Sequence, residues 1–234
     1  MAFSYREYLE KEKRIVDMAE EGLNIPRFRY VQILAVRNQI DDVFKWAYEI
    51  HDNRPSQRFN IRTYNYAPHT EKETTSCPHL CDLRIRDLRE KLPKLNMDYT
   101  CMVDAETPDD GRMAGTIIIH PNRITEVEFV TKEKRAMVRD INFGTNVRRL
   151  SSTADPRSLF YRDTWRKTFP NITYTESHVL ASITKSIYRF YKKGIIFEWT
   201  YFKNPSGIFY DKVDTIENYI VFWEYRSAHE KKEV

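Results

Sequence analysis

DAETPDDGRMAGTIIIHPNRITEVEFVTKEKRAMVR, residues 104–139, sets acidic side chains against two β-type runs and follows them with a basic segment. Thr107-Pro108-Asp109-Asp110-Gly111 is a turn signal, because proline fixes φ while Asp and Gly tolerate tight backbone geometry. Thr116-Ile117-Ile118-Ile119 is short, apolar and β-branched, and predicts a strand. His120-Pro121-Asn122-Arg123 makes the next turn. Strand alternation then puts Ile124, Glu126, Glu128 and Val130 on one face, with Val127 and Phe129 on the other. The stretch therefore reads as a hairpin with a carboxylate pair on its polar face.

Two like charges side by side on a strand repel unless something lies between them. A divalent metal, Arg or Lys side chains, or water can do this. If the hairpin closes, Asp109 comes near Glu126 or Glu128, and converging carboxylate oxygens suit Mn²⁺ or Mg²⁺. Such an ion activates water and stabilises the charge that develops on a phosphate during hydrolysis.

Pro108-Asp109, a hydrophobic strand, a turn, and then Glu128 in Val127-Glu128-Phe129-Val130-Thr131 resemble the PD-(D/E)xK nuclease pattern. Within that superfamily the stretch is most similar to the cap-snatching endonuclease domains of segmented negative-strand RNA virus polymerases. The resemblance implies a viral, metal-dependent endonuclease that hydrolyses RNA. Asp109 and Glu128 would hold Mn²⁺ or Mg²⁺, with Glu126, Glu106 and His51 as further ligands and Lys132 or Lys134 as the catalytic lysine. Partners implied are RNA and other polymerase subunits or domains.

Composition bounds these readings. The chain has 234 residues and 14% aromatic residues, enough for a sizeable core and unlike a disordered sequence. Residues 132–167 hold ten basic and four acidic side chains, a net +6 within a chain of net +4. An acidic centre with a cationic rim suits a polyanion, and Arg135, Arg139, Arg148 and Arg149 are the candidate nucleic-acid contacts. A non-catalytic RNA-binding or assembly protein using this segment is the alternative, and a solvated basic face gives the same count. Three cysteines and no signal peptide predict a reducing intracellular compartment, cytoplasm or nucleus. No apolar run is long enough for a membrane helix, so no membrane partner is expected.

Along the chain, Ser4-Tyr5-Arg6-Glu7 opens a helix that runs to about Glu21. A second helix is predicted over Arg29–Ile50 from the spacing of Ile33, Val36, Ile40, Val43, Phe44 and Ala47, with His51 at its end. Phe59–Tyr66 alternates as a strand. Cys77-Pro78-His79-Leu80-Cys81 is too cramped for a zinc set, and Cys81, Ile85, Leu88 and Leu92 read as one helical stripe. Tyr99–Val103 is a strand, Lys132–Leu150 a helix or a third strand, and Asp155-Pro156 a helix start. A helix capped at Thr175 or Ser177 ends at Gly194, and aromatic strands follow over Ile195–Phe202, Ile208–Asp211 and Tyr219–Tyr225. The fold class expected is α+β: N-terminal helices, a central mixed sheet, a C-terminal helix and antiparallel aromatic strands. One domain over residues 1–234 is expected, with a possible seam at residues 151–154.

Overall fold

The computed structural model describes residues 17–25, 28–32, 37–53, 57–65, 79–95, 99–106, 110–144, 146–203 and 219–227. The chain divides into two compact units. The first comprises Met1–Lys13, Pro26–Pro108 and Ser206–Tyr210, and the second Arg14–Ile25, Asp109–Pro205 and Asp211–Val234. The class is α+β, as expected. The sheet expected to be mixed is instead two sheets, and every described ladder is antiparallel.

The first unit is a four-stranded sheet in the order β1-β4-β2-β3. Its strands are β1 (Phe28–Gln32), β2 (Arg58–Asn65), β3 (His79–Leu83) and β4 (Tyr99–Glu106). Helices α1 (Arg37–Asn53) and α2 (Ile85–Lys91) pack with it. Val43, Trp46, Ala47 and Ile50 repeat at helical spacing along α1 and meet Phe59 and Ile61 of β2, Leu83, Leu88, Leu92 and Val103 in one core. The helix predicted from Arg29 begins only at Arg37, since Phe28–Gln32 pairs with β4 as a strand. Its aromatic and β-branched residues favour that pairing once a partner edge exists. Cys81 likewise lies in β3, and the helix starts after it at Ile85.

The second unit is a five-stranded sheet in the order β7-β6-β5-β8-β9. It contains β5 (Gly111–Ile119), β6 (Thr125–Thr131), β7 (Arg148–Ser152), β8 (Ile195–Phe202) and β9 (Ile220–Ser227). The predicted β5–β6 hairpin forms, with Thr116 opposite Glu128 and Ile118 opposite Glu126. Lys132–Leu150 is a 3-10 segment over Val138–Phe143 followed by β7, and residues 151–152 of the proposed seam end that strand within this unit. Helices α3 (Arg162–Thr168) and α4 (Tyr174–Ile187) follow. The cap of α4 is Thr173 rather than Thr175 or Ser177: its hydroxyl accepts from Glu176 N, and Glu176 answers from N3. Val179, Leu180, Ile183 and Ile187 are fully buried on this helix. Gly194 ends the 3-10 turn that follows it, with φ +56°.

Glu176 ties the start of α4 to the sheet. It is 3% exposed and accepts from Arg148 Nη1 at 2.7 Å, Thr131 Oγ1 at 3.0 Å and Thr173 N at 2.6 Å. Arg148 also donates to Asn171 O and lies over the Phe129 ring. At the sheet's centre Gly115 faces Phe129. A Cβ there would sit 2.2 Å from Glu128 O, so the two strands approach as closely as they do only because this residue is glycine. No helix among the described residues is long and apolar enough to cross a membrane.

Candidate functional site

The β6 carboxylates share a face, as the alternation predicts, but each meets a nitrogen partner of its own. Glu126 Oε2 lies 2.9 Å from His120 Nε2 across the hairpin turn. Glu128 Oε1 accepts from Arg149 Nε at 2.7 Å, and the two residues are direct cross-strand neighbours in β6 and β7. Lys132 Nζ is 2.8 Å from Asp140 Oδ2, while Lys134 and Arg139 are exposed. Arg148 is spent on Glu176, and Arg135 has φ +58°. Asp109 lies outside the described residues, as does the side chain of Glu106 at the end of β4. His51 belongs to the first unit and Glu126 and Glu128 to the second.

Among the described residues no three His, Cys, Asp or Glu side chains converge as a metal-ion set. Glu126 faces the His120 imidazole and Glu128 the Arg149 guanidinium, while Asp109, the expected acid opposite them, lies outside the described residues; a divalent cation is compatible with the chain. Two further arginines of the basic segment are engaged locally. Arg157 Nε donates to Tyr188 Oη at 3.0 Å, a bond that holds this guanidinium above its ordinary pKa, and Arg162 donates to Tyr174 Oη while lying over its ring.

A concave site lies elsewhere, in the first unit. His51, Gln57, Arg58, Arg84, Ile85 and Arg86 line a cavity of about 300 Å³. Three local features build it. The last turn of α1 delivers His51, whose Nδ1 is buried with no hydrogen-bond partner among the described residues. The start of β2 delivers Gln57, which is fully buried, and Arg58, whose side chain is 16% exposed. The junction from β3 to α2 delivers Arg84, Ile85 and Arg86. Arg84 is fixed as the first residue of that junction because its N–H donates to Asp87 Oδ2 and its carbonyl accepts from Leu88 N.

A β-bulge sets the geometry of the wall. The β2–β3 register jumps from Phe59↔Leu83 to Ile61↔Leu80, so β3 holds one extra residue there. Asp82 absorbs it in the left-handed region with φ +58°, a conformation that Asp adopts more readily than most residues. Its N–H donates to Asn60 Oδ1 at 3.1 Å, and its Oδ1 lies 3.4 Å from Arg58 Nε. A backbone in a costly conformation beside a concave basic site is where functional strain tends to collect. The lining brings three guanidiniums, an imidazole and a carboxamide together. Asp82 and Asp87 stand behind Arg58 and Arg86 as their acidic partners.

Of the sequence-predicted residues only His51 belongs to this cavity, and there it stands among guanidiniums rather than carboxylates. The sequence alone does not mark Gln57, Arg58, Arg84 and Arg86 as a set. The signal it carries is the basic pair Arg84 and Arg86 flanking Ile85 at a strand-to-helix junction.

No protein-family model matches the chain, and no curated protein matches it. Solved structures do resemble it. The macrocyclase MdnC of Microcystis aeruginosa MRC, bound with precursor peptide MdnA, is 11% identical with a TM-score of 0.43, over 92% of this chain and 51% of that one. A dinucleotide-forming acetyl-coenzyme A synthetase 1 of Ca. Korarchaeum cryptofilum is 8% identical with a TM-score of 0.49, over 92% and 90%. A RiPP-associated ATP-grasp ligase of Chryseobacterium gregarium is 9% identical with a TM-score of 0.43, over 94% and 52%. The chain spans about half the length of the macrocyclase and of the second ligase.

The nuclease expectation is withdrawn. The three structures named are a macrocyclase, a synthetase and an ATP-grasp ligase, not PD-(D/E)xK nucleases, and the reading as a viral cap-snatching endonuclease, and as a hydrolase, finds no support among them. The hairpin that carried that resemblance is an antiparallel β5–β6 ladder whose glutamates are held by His120 and Arg149. At these TM-scores and identities the likeness carries no activity over to this chain.

Proposed function

We propose that this chain binds a small phosphorylated anion in the first-unit cavity. The observation that supports the reading is the lining itself: Arg58, Arg84 and Arg86 around one concavity with His51 and Gln57. Guanidinium groups match phosphate and carboxylate oxygens bidentately, and their planar forks lose little freedom on doing so. Arg58, largely buried, lies against Asp82 and donates from Nη1 to Gln57 O, and the exposed Arg84 and Arg86 supply the more accessible cations. His51 Nδ1, buried without a partner among the described residues, is a polar atom that a bound group would satisfy. A cavity of about 300 Å³ lies at the small end of ligand sites. The role proposed is one of binding and orientation.

Calorimetric titration with inorganic phosphate tests this. The wild-type chain gives saturable binding. Arg84→Ala combined with Arg86→Ala, both on exposed positions, leaves the far-ultraviolet circular dichroism unchanged and weakens binding at least about tenfold. Absence of saturable binding by the wild-type chain, or equal binding by the double variant, overturns the proposal.

A further inference from the structure

The cavity is larger than a phosphate group and is not purely polar. About 300 Å³ is room for roughly ten waters at ~30 Å³ each, and Ile85 forms an apolar part of the wall. Beyond the lining, two side chains stand about one helical turn further along the two helices. Tyr48 stands three residues before His51 on α1, and Arg89 three residues after Arg86 on α2. Residues three apart on a helix are neighbours, about 5–6 Å between Cβ atoms. The two extensions meet: Arg89 Nη1 lies 3.4 Å from Tyr48 Oη. Tyr48 is 37% exposed, one of few large aromatic side chains with that much surface among the described residues.

A cluster of guanidiniums, one helical turn from an exposed phenol ring braced by another guanidinium, is complementary to a particular kind of molecule. We infer that the ligand is a phosphate monoester carrying a planar ring, with its phosphate among Arg58, Arg84 and Arg86 and its ring against Tyr48 and Arg89. The ring gains the aromatic face of Tyr48, and the Arg89 guanidinium stacks on its face or donates to acceptor atoms of the ring. The organic link between ring and phosphate passes Ile85 and brings a polar atom to His51 Nδ1. This inference rests on the phosphate reading of the cavity and adds to it the chemical class of what the phosphate carries.

The test titrates the full chain with inorganic phosphate, ribose 5-phosphate and adenosine monophosphate. Adenosine monophosphate binds about two- to tenfold more tightly than ribose 5-phosphate, the increment expected for one stacked ring. Tyr48→Ala removes that increment and leaves the affinity for inorganic phosphate unchanged, whereas Tyr48→Phe, which keeps the ring, retains it. Equal affinity for ribose 5-phosphate and adenosine monophosphate in the wild-type chain overturns the inference while the phosphate reading stands. So does a Tyr48→Ala variant that weakens both to the same extent. Failure of all three probes to bind removes the phosphate reading itself, and the inference with it.

Discussion

Glu176→Ala should be among the most damaging single substitutions in the second unit. The carboxylate is 3% exposed and accepts three hydrogen bonds, from Arg148, Thr131 and Thr173 N. Removing one partner of a buried ion pair costs about 3–5 kcal/mol when the remaining charge is stranded. Arg148 is not fully stranded: its side chain is 30% exposed and keeps Asn171 O, so the lower end of that range applies. Loss of half of the capping box at the start of α4 adds up to about 1 kcal/mol. The total is about 3 kcal/mol, or about 6–12 °C in Tm for a cooperative unit of this size. Glu176→Gln keeps one acceptor oxygen for Thr173 N and Arg148 Nη1 and turns an amide donor toward the Thr131 hydroxyl, so it loses the charge but not the contacts and should cost about half as much. Urea unfolding followed by circular dichroism and tryptophan fluorescence measures both. An alanine variant within about 1 kcal/mol of wild type, or a glutamine variant as unstable as the alanine, would refute the argument that a buried charged network holds α4 to β6 and β7.

Two other outcomes follow from particular positions. Gly115→Ala places a methyl 2.2 Å from Glu128 O, a backbone atom that cannot swing aside, so it should cost about 3 kcal/mol or more and lower hydrogen-exchange protection along β5 and β6. Tyr201→Phe should flatten the alkaline limb of the stability curve. Burial, and then the neighbouring Tyr219, raise the Tyr201 phenol above its ordinary value. The stability its neutral form contributes is thus present below about pH 10, the unfolded value, and is lost as pH rises through the higher folded value. Equal alkaline slopes for the two proteins in denaturant titrations from about pH 8 to about pH 11 would contradict this.

Much of the fold is legible in the sequence because periodicity reports burial. The alternation of Thr125–Thr131 predicts the buried Val127 and Phe129 and the polar positions of Glu126 and Glu128. What alternation cannot report is the partner across the ladder. Arg149 lies 21 residues after Glu128, and only the β6–β7 pairing shows that a guanidinium meets this carboxylate. The stretch Arg29–Gln32 reads as part of a helix because Ile33 and Val36 continue the helical spacing of α1 backwards. The strand forms because β4 offers an edge, which is tertiary information. The cavity is the least legible feature. Its residues come from three separate segments, and the bulge at Asp82 that shapes its wall shows only as a register jump between paired strands.

The most direct measurement for the central claim is a phosphate titration read out by backbone amide chemical shifts. The account predicts saturable shifts that concentrate at His51, Gln57, Arg58, Arg84 and Arg86, with small changes at Glu126, Glu128 and the segment from Lys132 to Lys167. Shifts that gather instead along residues 132–167, or that grow linearly without saturating at the cavity, would contradict it.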